Sequence, residues 1–358
     1  MAEKHFDLSK YNYILPKELI ADKPANPRDS SRLFVYDTKK DEIIFDVFSN
    51  LDKYLPKDTL LVFNNTKVLP ARVILKKEKE INSERGGGKV EVLFFVNELL
   101  PGDKIIKGLS DRKIIPGKHL YFPDGKKLKI TDQDERFFFF EPDFDIRELP
   151  DLLFKYGITP IPKYIDNTTL SEDELREKYQ SVFAEKPASV AAPTASLHFT
   201  KNVLEKIKNK GIDSAFVTLN VGMGTFAPVS EKNFIEGRLH EEYCEINNDE
   251  LVKIRSNRDI TAVGTTSLRA LETFSEEVLG TDNEDLFKNT DIFIYPPYNF
   301  KLAKHLITNF HLPESSLMCL VDAFLQFKGA KRNIAELYDI AKKEKFRFYS
   351  FGDAMVII

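Results

Sequence analysis

Apolar positions in this chain fall into two textures. From Leu33 to Phe48 two short runs flank a polar turn at Asp37 to Asp41, the pattern of a hairpin, and Thr59 to Phe63 is a continuous apolar run, as a strand buried on both faces requires. That run stops at Asn64-Asn65-Thr66-Lys67, polar turn formers at the end of a buried strand. Between Val68 and Pro142 the runs shorten and turns crowd in. Gly86-Gly87-Gly88 precedes Lys89 to Val96, Pro101-Gly102 and Pro116-Gly117 punctuate, and Pro123-Asp124-Gly125-Lys126 joins Leu120 to Phe122 with Lys127 to Thr131. Phe137 to Phe140 closes the series. Short strands with no helix between them predict a small barrel or sandwich inserted into a larger domain.

Helical periodicity takes over after Pro142. Asp145 to Tyr156 is amphipathic and stops at Gly157, Ser171-x-x-Glu174 is a capping box for a helix reaching about Phe183, and Thr200 opens a helix that ends before Gly211. An apolar strand, Ser214 to Val221, runs into Gly222-Met223-Gly224. Asp259 to Val263 runs into Gly264-Thr265-Thr266-Ser267 and a helix from Leu268 to Leu279. Strands at Asp291 to Tyr295 and Leu306 to Phe310, a long apolar helix to Phe327, a helix from Ile334 to Lys343 and a strand around Phe351 to Met355 complete the chain. Alternating strands and helices predict an α/β class with a mixed sheet. The large catalytic domain is expected from residues 1–67 and 143–358, interrupted by an insertion at 68–142.

Composition narrows the function classes. A chain of 358 residues exceeds one ordinary core, in keeping with a domain plus an insertion. No apolar run reaches the roughly 18 residues of a membrane span and the N-terminus lacks a signal-peptide pattern, so a cytoplasmic protein is expected. Its two cysteines, Cys244 and Cys319, lie far apart, which argues against a disulfide framework and a structural zinc site; each reads as a nucleophile or as small buried packing. The net charge of -4 says nothing for nucleic acid, but Lys104 to Lys129 holds eight basic residues against two acids. Such a cluster is either a solvated strand face or a track for a phosphate backbone.

Chemistry gathers at a few strand ends. Ala188 to Phe199 is too small-residued for a core element and too apolar for a linker, so it reads as backbone pressed against something, and its His198 is either a satisfied buried polar group or part of a site. Two glycines, Gly222 and Gly224, allow close backbone approach but lack the third glycine of a dinucleotide fingerprint. Thr265, Thr266 and Ser267 at a helix start are either ordinary caps or a seat for a carboxylate or phosphate. In an open α/β sheet, His198, Asn220, Thr265, Thr266, Arg269, His311, Glu314 and Asp353 are expected to converge on one edge. They match no Ser-His-Asp, P-loop, zincin or glycosidase pattern, so the residues alone give an enzyme-like site without a named reaction.

A resemblance carries the reading further. Ala191-Ala192-Pro193-Thr194-Ala195, Leu197-His198-Phe199, Val221 to Phe226, Val263 to Ser267, Thr308 to Pro313 and Phe351 to Met355 together resemble the S-adenosylmethionine:tRNA ribosyltransferase-isomerase family of queuosine biosynthesis, as do Asn64 to Val68 and Pro70-Ala71-Arg72. That family is similar in plan, a large α/β domain with a small inserted antiparallel β-barrel. The resemblance implies transfer and isomerisation of the ribosyl part of S-adenosylmethionine onto 7-aminomethyl-7-deazaguanine at the tRNA wobble position, giving epoxyqueuosine with loss of adenine and methionine. S-adenosylmethionine is then a consumed substrate, no cofactor or metal is implied, and a monomer is expected. On this footing His198, His311 and Asp353 are catalytic candidates. Asn65, Thr194, Asn220, Gly222, Gly224, Thr265, Thr266, Arg269 and Glu314 are substrate-binding candidates, and Arg112, Lys113, Lys126 and Lys127 are the expected tRNA contacts. His240 and Glu245 are further acid-base candidates. The chain departs from the family pattern at Ser196 and Pro297, where glycine is usual, and at Asn220, where histidine is usual. An impaired relative that binds tRNA or an adenosyl ligand without turnover is the competing expectation, and an unrelated α/β enzyme with an oligomerising barrel is a third.

Overall fold

The apolar run at Leu60–Asn64 becomes an interior strand of a nine-stranded sheet, buried along its whole length. The computed structural model describes residues 7–78, 87–99, 102–165, 167–222, 229–257, 259–281 and 284–358. Ser214–Leu219 and Ile260–Val263 flank that strand in parallel, and His305–Asn309 extends the parallel group beyond Ile260–Val263. Arg238–Ile246 and Leu286–Ile292 add antiparallel at one edge; on the other side Ala354–Ile357 runs antiparallel to His305–Asn309, Arg32–Asp37 pairs with it in parallel, and Glu42–Val47 ends the sheet antiparallel to Arg32–Asp37. Alternation along a strand sends neighbours to opposite layers. Leu60 and Val62 join the core beneath Leu268, Leu271 and Phe324, while Leu61 and Phe63 pack with Phe199, Val203 and Ile207 on the other face.

The inserted region is a closed barrel. Arg72–Lys77, Lys89–Phe94, Ile106–Ser110, Phe137–Pro142, Lys127–Asp134 and His119–Tyr121 pair in that order, and Lys76 opposite Tyr121 closes the ring. Closure removes the unpaired edges that a short-stranded open sheet would expose. Gly157–Ile158 adds on beside Arg72 and Val73, and the barrel core takes Leu149, Leu152 and Leu153 from the helix Leu149–Tyr156. A methyl group at Gly157 would lie 1.8 Å from the Pro70 carbonyl oxygen, so that close approach requires glycine.

Several elements differ from their sequence expectation. The helix capped by Ser171 ends at Lys178, because Gln180 leaves helical geometry to bond both the amide and the carbonyl of Val68. The strand expected at Asp291 to Tyr295 runs earlier, Leu286–Ile292, where an exposed edge tolerates a polar sequence. The last strand is Ala354–Ile357, and Phe351 to Asp353 form the turn before it. Arg238–Ile246 and the helix Asn248–Ser256 had no counterpart in the sequence reading.

Candidate active site

Four parallel strands end on one edge of the sheet, where an open α/β fold places its ligands. After Val263 the chain turns at Gly264, whose φ of +90° suits glycine, and enters the helix Thr265–Thr273 at once. The helix therefore starts three residues before the expected Leu268, with Gly264 as its N-cap and no hydroxyl cap. Thr265 and Thr266 lie inside its first turn, where backbone amides have no partner within the helix. The Thr266 hydroxyl is buried and unpartnered.

The small-residue stretch is pinned along the same edge. Lys186–Ser189 pairs in parallel with Thr66–Val68, and the Ser189 hydroxyl accepts the Val221 amide at 2.7 Å and meets Thr66 Oγ1 at 2.6 Å. Pro193 then leads into a single 3-10 segment, Thr194–His198. Ser196 lies within it, away from the positive-φ region, so its backbone is unstrained; the cost is a buried hydroxyl without a partner.

These segments line a half-open cavity whose walls include Thr194, Val221, Thr265, Thr266, Asn309 and His311. A second lobe shares Thr194, Asn309 and His311 and reaches Tyr164, Tyr349 and Ser350. The sequence candidates brought together here are Thr194, Thr265, Thr266 and His311. Others stand apart from the lining. Asn65 is committed to Thr218 and Glu185 between strands. Glu314 holds a φ of +54° on the turn after His311, and the Asn220 amide oxygen is buried and unpartnered. Gly222 lines a different cleft, described below, and Gly224 lies outside the described residues.

His198 sits behind the cavity wall, buried, with both ring nitrogens engaged. Nδ1 is 2.9 Å from Ser31 Oγ and Nε2 is 3.1 Å from Asn309 Nδ2. The same amide nitrogen also donates to the Asp353 carbonyl, and Asn309 Oδ1 accepts from Thr194. That network orients the amide, so Nε2 is the bare nitrogen and Nδ1 carries the proton toward Ser31. Asp353 is equally occupied. Its carboxylate accepts from the Arg32 and Arg347 amides and from the Arg347 guanidinium, and it anchors the turn that carries it. His311 borders the cavity itself, with Nε2 2.8 Å from Thr308 Oγ1.

Burial holds both histidines neutral, His198 down to about 4 and His311 down to about 3. Each binds its proton less readily in the folded chain than at the ordinary value of about 6.5. The stability they contribute is therefore present above about pH 6.5 and is lost as pH falls toward about 4 for His198 and about 3 for His311. Urea midpoints should decline across that window, and His198→Asn should flatten part of the decline relative to the parent protein.

Sequence reasoning missed Glu242. It is buried on Arg238–Ile246, forms an ion pair with the buried Arg269, and accepts the Gly222 amide at 2.8 Å. Arg269 lies on the helix after Thr266, and its Nε and Nη2 are buried without partners. Neither residue lines the first cavity, so Arg269 is a buried support on the far end of that helix turn. The signal for Glu242 was faint, because in His240-Glu241-Glu242-Tyr243 an inward acid looks like its outward neighbours. Asn309 was also missed, although the quoted motif contains it. Cys244 and Cys319 are buried and their thiols are pushed up by burial, Cys319 to about 12, as inert packing groups are. His240 and Glu245 lie on the same strand as Glu242, and Glu245 is paired with Lys186.

On the barrel, Arg112 is exposed beside Asp111, Lys113 is exposed, and Lys126 is held by Glu148 at 2.6 Å. Lys127 and Lys129 are exposed on the outer face of their strand, opposite Tyr121 and His119. Among the described residues no cluster of His, Cys, Asp or Glu is placed to hold a metal ion, and no helix is long and apolar enough to cross a membrane.

A pocket at the carboxyl ends of parallel strands, beside an inserted barrel, defines an α/β enzyme carrying a second, small β domain. The chain matches the family described as "Queuosine biosynthesis protein" over residues 8–357 and belongs to that family. It is 42% identical over 360 residues to the S-adenosylmethionine:tRNA ribosyltransferase-isomerase of Sulfurihydrogenibium sp. (strain YO3AOP1), covering 98% of this chain and 99% of that protein. The protein of the same name from Thermosipho melanesiensis is 42% identical over 365 residues, covering 98% of this chain and 99% of that one. The crystal structure of S-adenosylmethionine tRNA ribosyltransferase from Thermotoga maritima is similar with a TM-score of 0.53 and 31% identity, over 98% of this chain and all of that one.

Proposed function

We propose that this chain is an S-adenosylmethionine:tRNA ribosyltransferase-isomerase that moves the ribosyl group of S-adenosylmethionine onto 7-aminomethyl-7-deazaguanine at the tRNA wobble position, with release of adenine and methionine. The observation that carries the reading is the cavity, because the three stretches of the resemblance around Thr194, Thr265 and His311 line one space despite lying far apart in sequence. The Thr265–Thr273 helix start, with its free amides and the unpartnered Thr266 hydroxyl, suits the methionine carboxylate of the donor. His311 is the one titratable side chain among the described residues that line the first cavity, and it is the proposed acceptor of a proton from C5′, where the sulfonium acidifies the hydrogens. His198, with both nitrogens spent, positions Asn309 and through it Thr194. S-adenosylmethionine is consumed, with no resident cofactor, and the protein acts as a cytoplasmic monomer in which residues 68–142 form the inserted domain.

The test is adenine release. With S-adenosylmethionine and tRNA bearing the aminomethyl-deazaguanine, the protein should release adenine in step with tRNA modification. tRNA binding without adenine release would support the impaired-relative reading.

In this reading the outer barrel face tracks the tRNA backbone. Lys127→Glu with Lys129→Glu should reduce the slope of log affinity against log salt by about 1.5–2 and leave S-adenosylmethionine binding unchanged. Salt titrations of tRNA binding measure it, and an unchanged slope would place the footprint elsewhere.

A further inference from the structure

Val221 lines the first cavity, and the next residue, Gly222, lines an open cleft between the barrel and the strand Arg238–Ile246. Adjacent α-carbons are only about 3.8 Å apart, so this backbone is a wall common to both spaces. The cleft adjoins a recess that shares Asn97, Glu98, Lys107, His240 and Glu241.

The cleft has the parts of a nucleobase site. Its barrel wall offers the Phe137 ring, packed edge-on against Phe95 at 5.8 Å, with the Lys107 ammonium 4.5 Å and the Arg136 guanidinium 5.3 Å from the Phe137 ring centre. Both cations lie over that ring, so a planar heterocycle stacks on it by displacing one of them. Asn97, 4% exposed, lines the cleft with a buried amide oxygen that has no hydrogen-bond partner. Glycine at 222 makes room for it, since a methyl group there would lie 2.7 Å from Asn97 Nδ2.

The opposite wall supplies charge. The ladder between Arg238–Ile246 and Leu286–Ile292 breaks register between Arg238 and Glu242, which leaves His240 and Glu241 exposed at the cleft. Bulges of this kind re-aim side chains. Lys107 is paired with Glu98 at 2.9 Å and Glu242 with Arg269, whereas the Glu241 carboxylate accepts a 3.3 Å bond from Asn289 and has no cation partner among the described residues. An aromatic shelf, an unsatisfied buried acceptor and an unneutralised carboxylate together fit a flat base that carries N–H donors on its edge and a cationic substituent.

We propose that this cleft receives the acceptor base, swung out of the anticodon loop. The deazaguanine ring lies on Phe137, its aminomethyl ammonium pairs with Glu241, and an N–H of its edge donates to Asn97 Oδ1. Enzymes that modify a base extrude it in this way, because the reacting atom is shielded within the stack. The aminomethyl nitrogen is thereby brought toward Gly222 and the ribosyl donor in the first cavity. The inference rests on the transferase reading above.

The experiment compares two tRNAs, one with the aminomethyl-deazaguanine and one with guanine at the wobble position. The parent protein should bind the modified tRNA more tightly, and Glu241→Gln should reduce that preference by about ten- to a hundredfold, the value of one charged hydrogen bond. Its affinities for the unmodified tRNA and for S-adenosylmethionine should stay at the parent values, which also shows that the variant is folded. Phe137→Ala should weaken binding of the modified tRNA as well. A parent protein with no preference, or a preference that survives both substitutions, overturns the proposal. If the parent protein turns over while the preference is unmoved, the base pocket alone is wrong; if it releases no adenine, the transferase reading fails first.

Discussion

Glu242→Ala should lower stability by about 3–5 kcal/mol, the usual cost of removing one partner from a buried ion pair. The reason is local and specific. Arg269 and Glu242 are both buried, Arg269 already has two nitrogens without partners, and the lost carboxylate would leave the guanidinium with no counter-charge from Glu242 and the Gly222 amide with no acceptor from it. Replacing both residues by leucine removes the stranded charge and should recover most of the loss, because well-packed apolar pairs often match a buried ion pair in stability. Urea unfolding of the parent, the single variant and the double variant measures the difference. A Glu242→Ala protein within about 1 kcal/mol of the parent would mean that the pair is hydrated rather than buried.

The second large effect is on rate. His311→Ala should reduce kcat by about 10²–10⁴ with little change in S-adenosylmethionine binding, the ordinary contribution of a positioned base. The pH profile separates this role from a structural one. A histidine held at about 3 is already deprotonated across the neutral range, so the parent rate should show no fall near pH 6.5 attributable to His311. His198→Asn, by contrast, should act first on stability and on the seating of Asn309, since its nitrogens face Ser31 and Asn309 rather than the cavity. If His311→Ala keeps the parent kcat at saturating substrate, the proton passes through another group.

Much of the site was legible because its parts have conspicuous composition. A glycine between an apolar strand and two threonines, or a run of alanines with one proline and one histidine, has few structural uses, and both stretches do line the cavity. The alternation of strands with helices gave the α/β class, and the dense turns between Val68 and Pro142 gave the insertion, which the structure closes into a barrel. What was not legible depends on partners distant in the chain. Glu242 and Arg269 lie 27 residues apart, and nothing local marks either acid or base as buried. The start of the Thr265–Thr273 helix was misplaced because hydroxyl residues read as caps, whereas a positive φ at Gly264 lets the helix begin at once. Asp353 has the composition of a catalytic carboxylate, yet four hydrogen bonds from Arg32 and Arg347 occupy it in the fold. Ser196 shows the same limit: whether it strained the loop depended on a backbone angle, and that angle is ordinary.

The central claim is that ribosyl carbon from S-adenosylmethionine ends on the tRNA. S-adenosylmethionine labelled in its ribose carbons, incubated with the protein and the aminomethyl-deazaguanine tRNA, tests it most directly. Label should appear in the tRNA in equal amount to the adenine and methionine released, and none should appear when the wobble base is guanine. Label that stays with the donor while the tRNA is bound, or a tRNA that is modified without gaining ribose label, would contradict it.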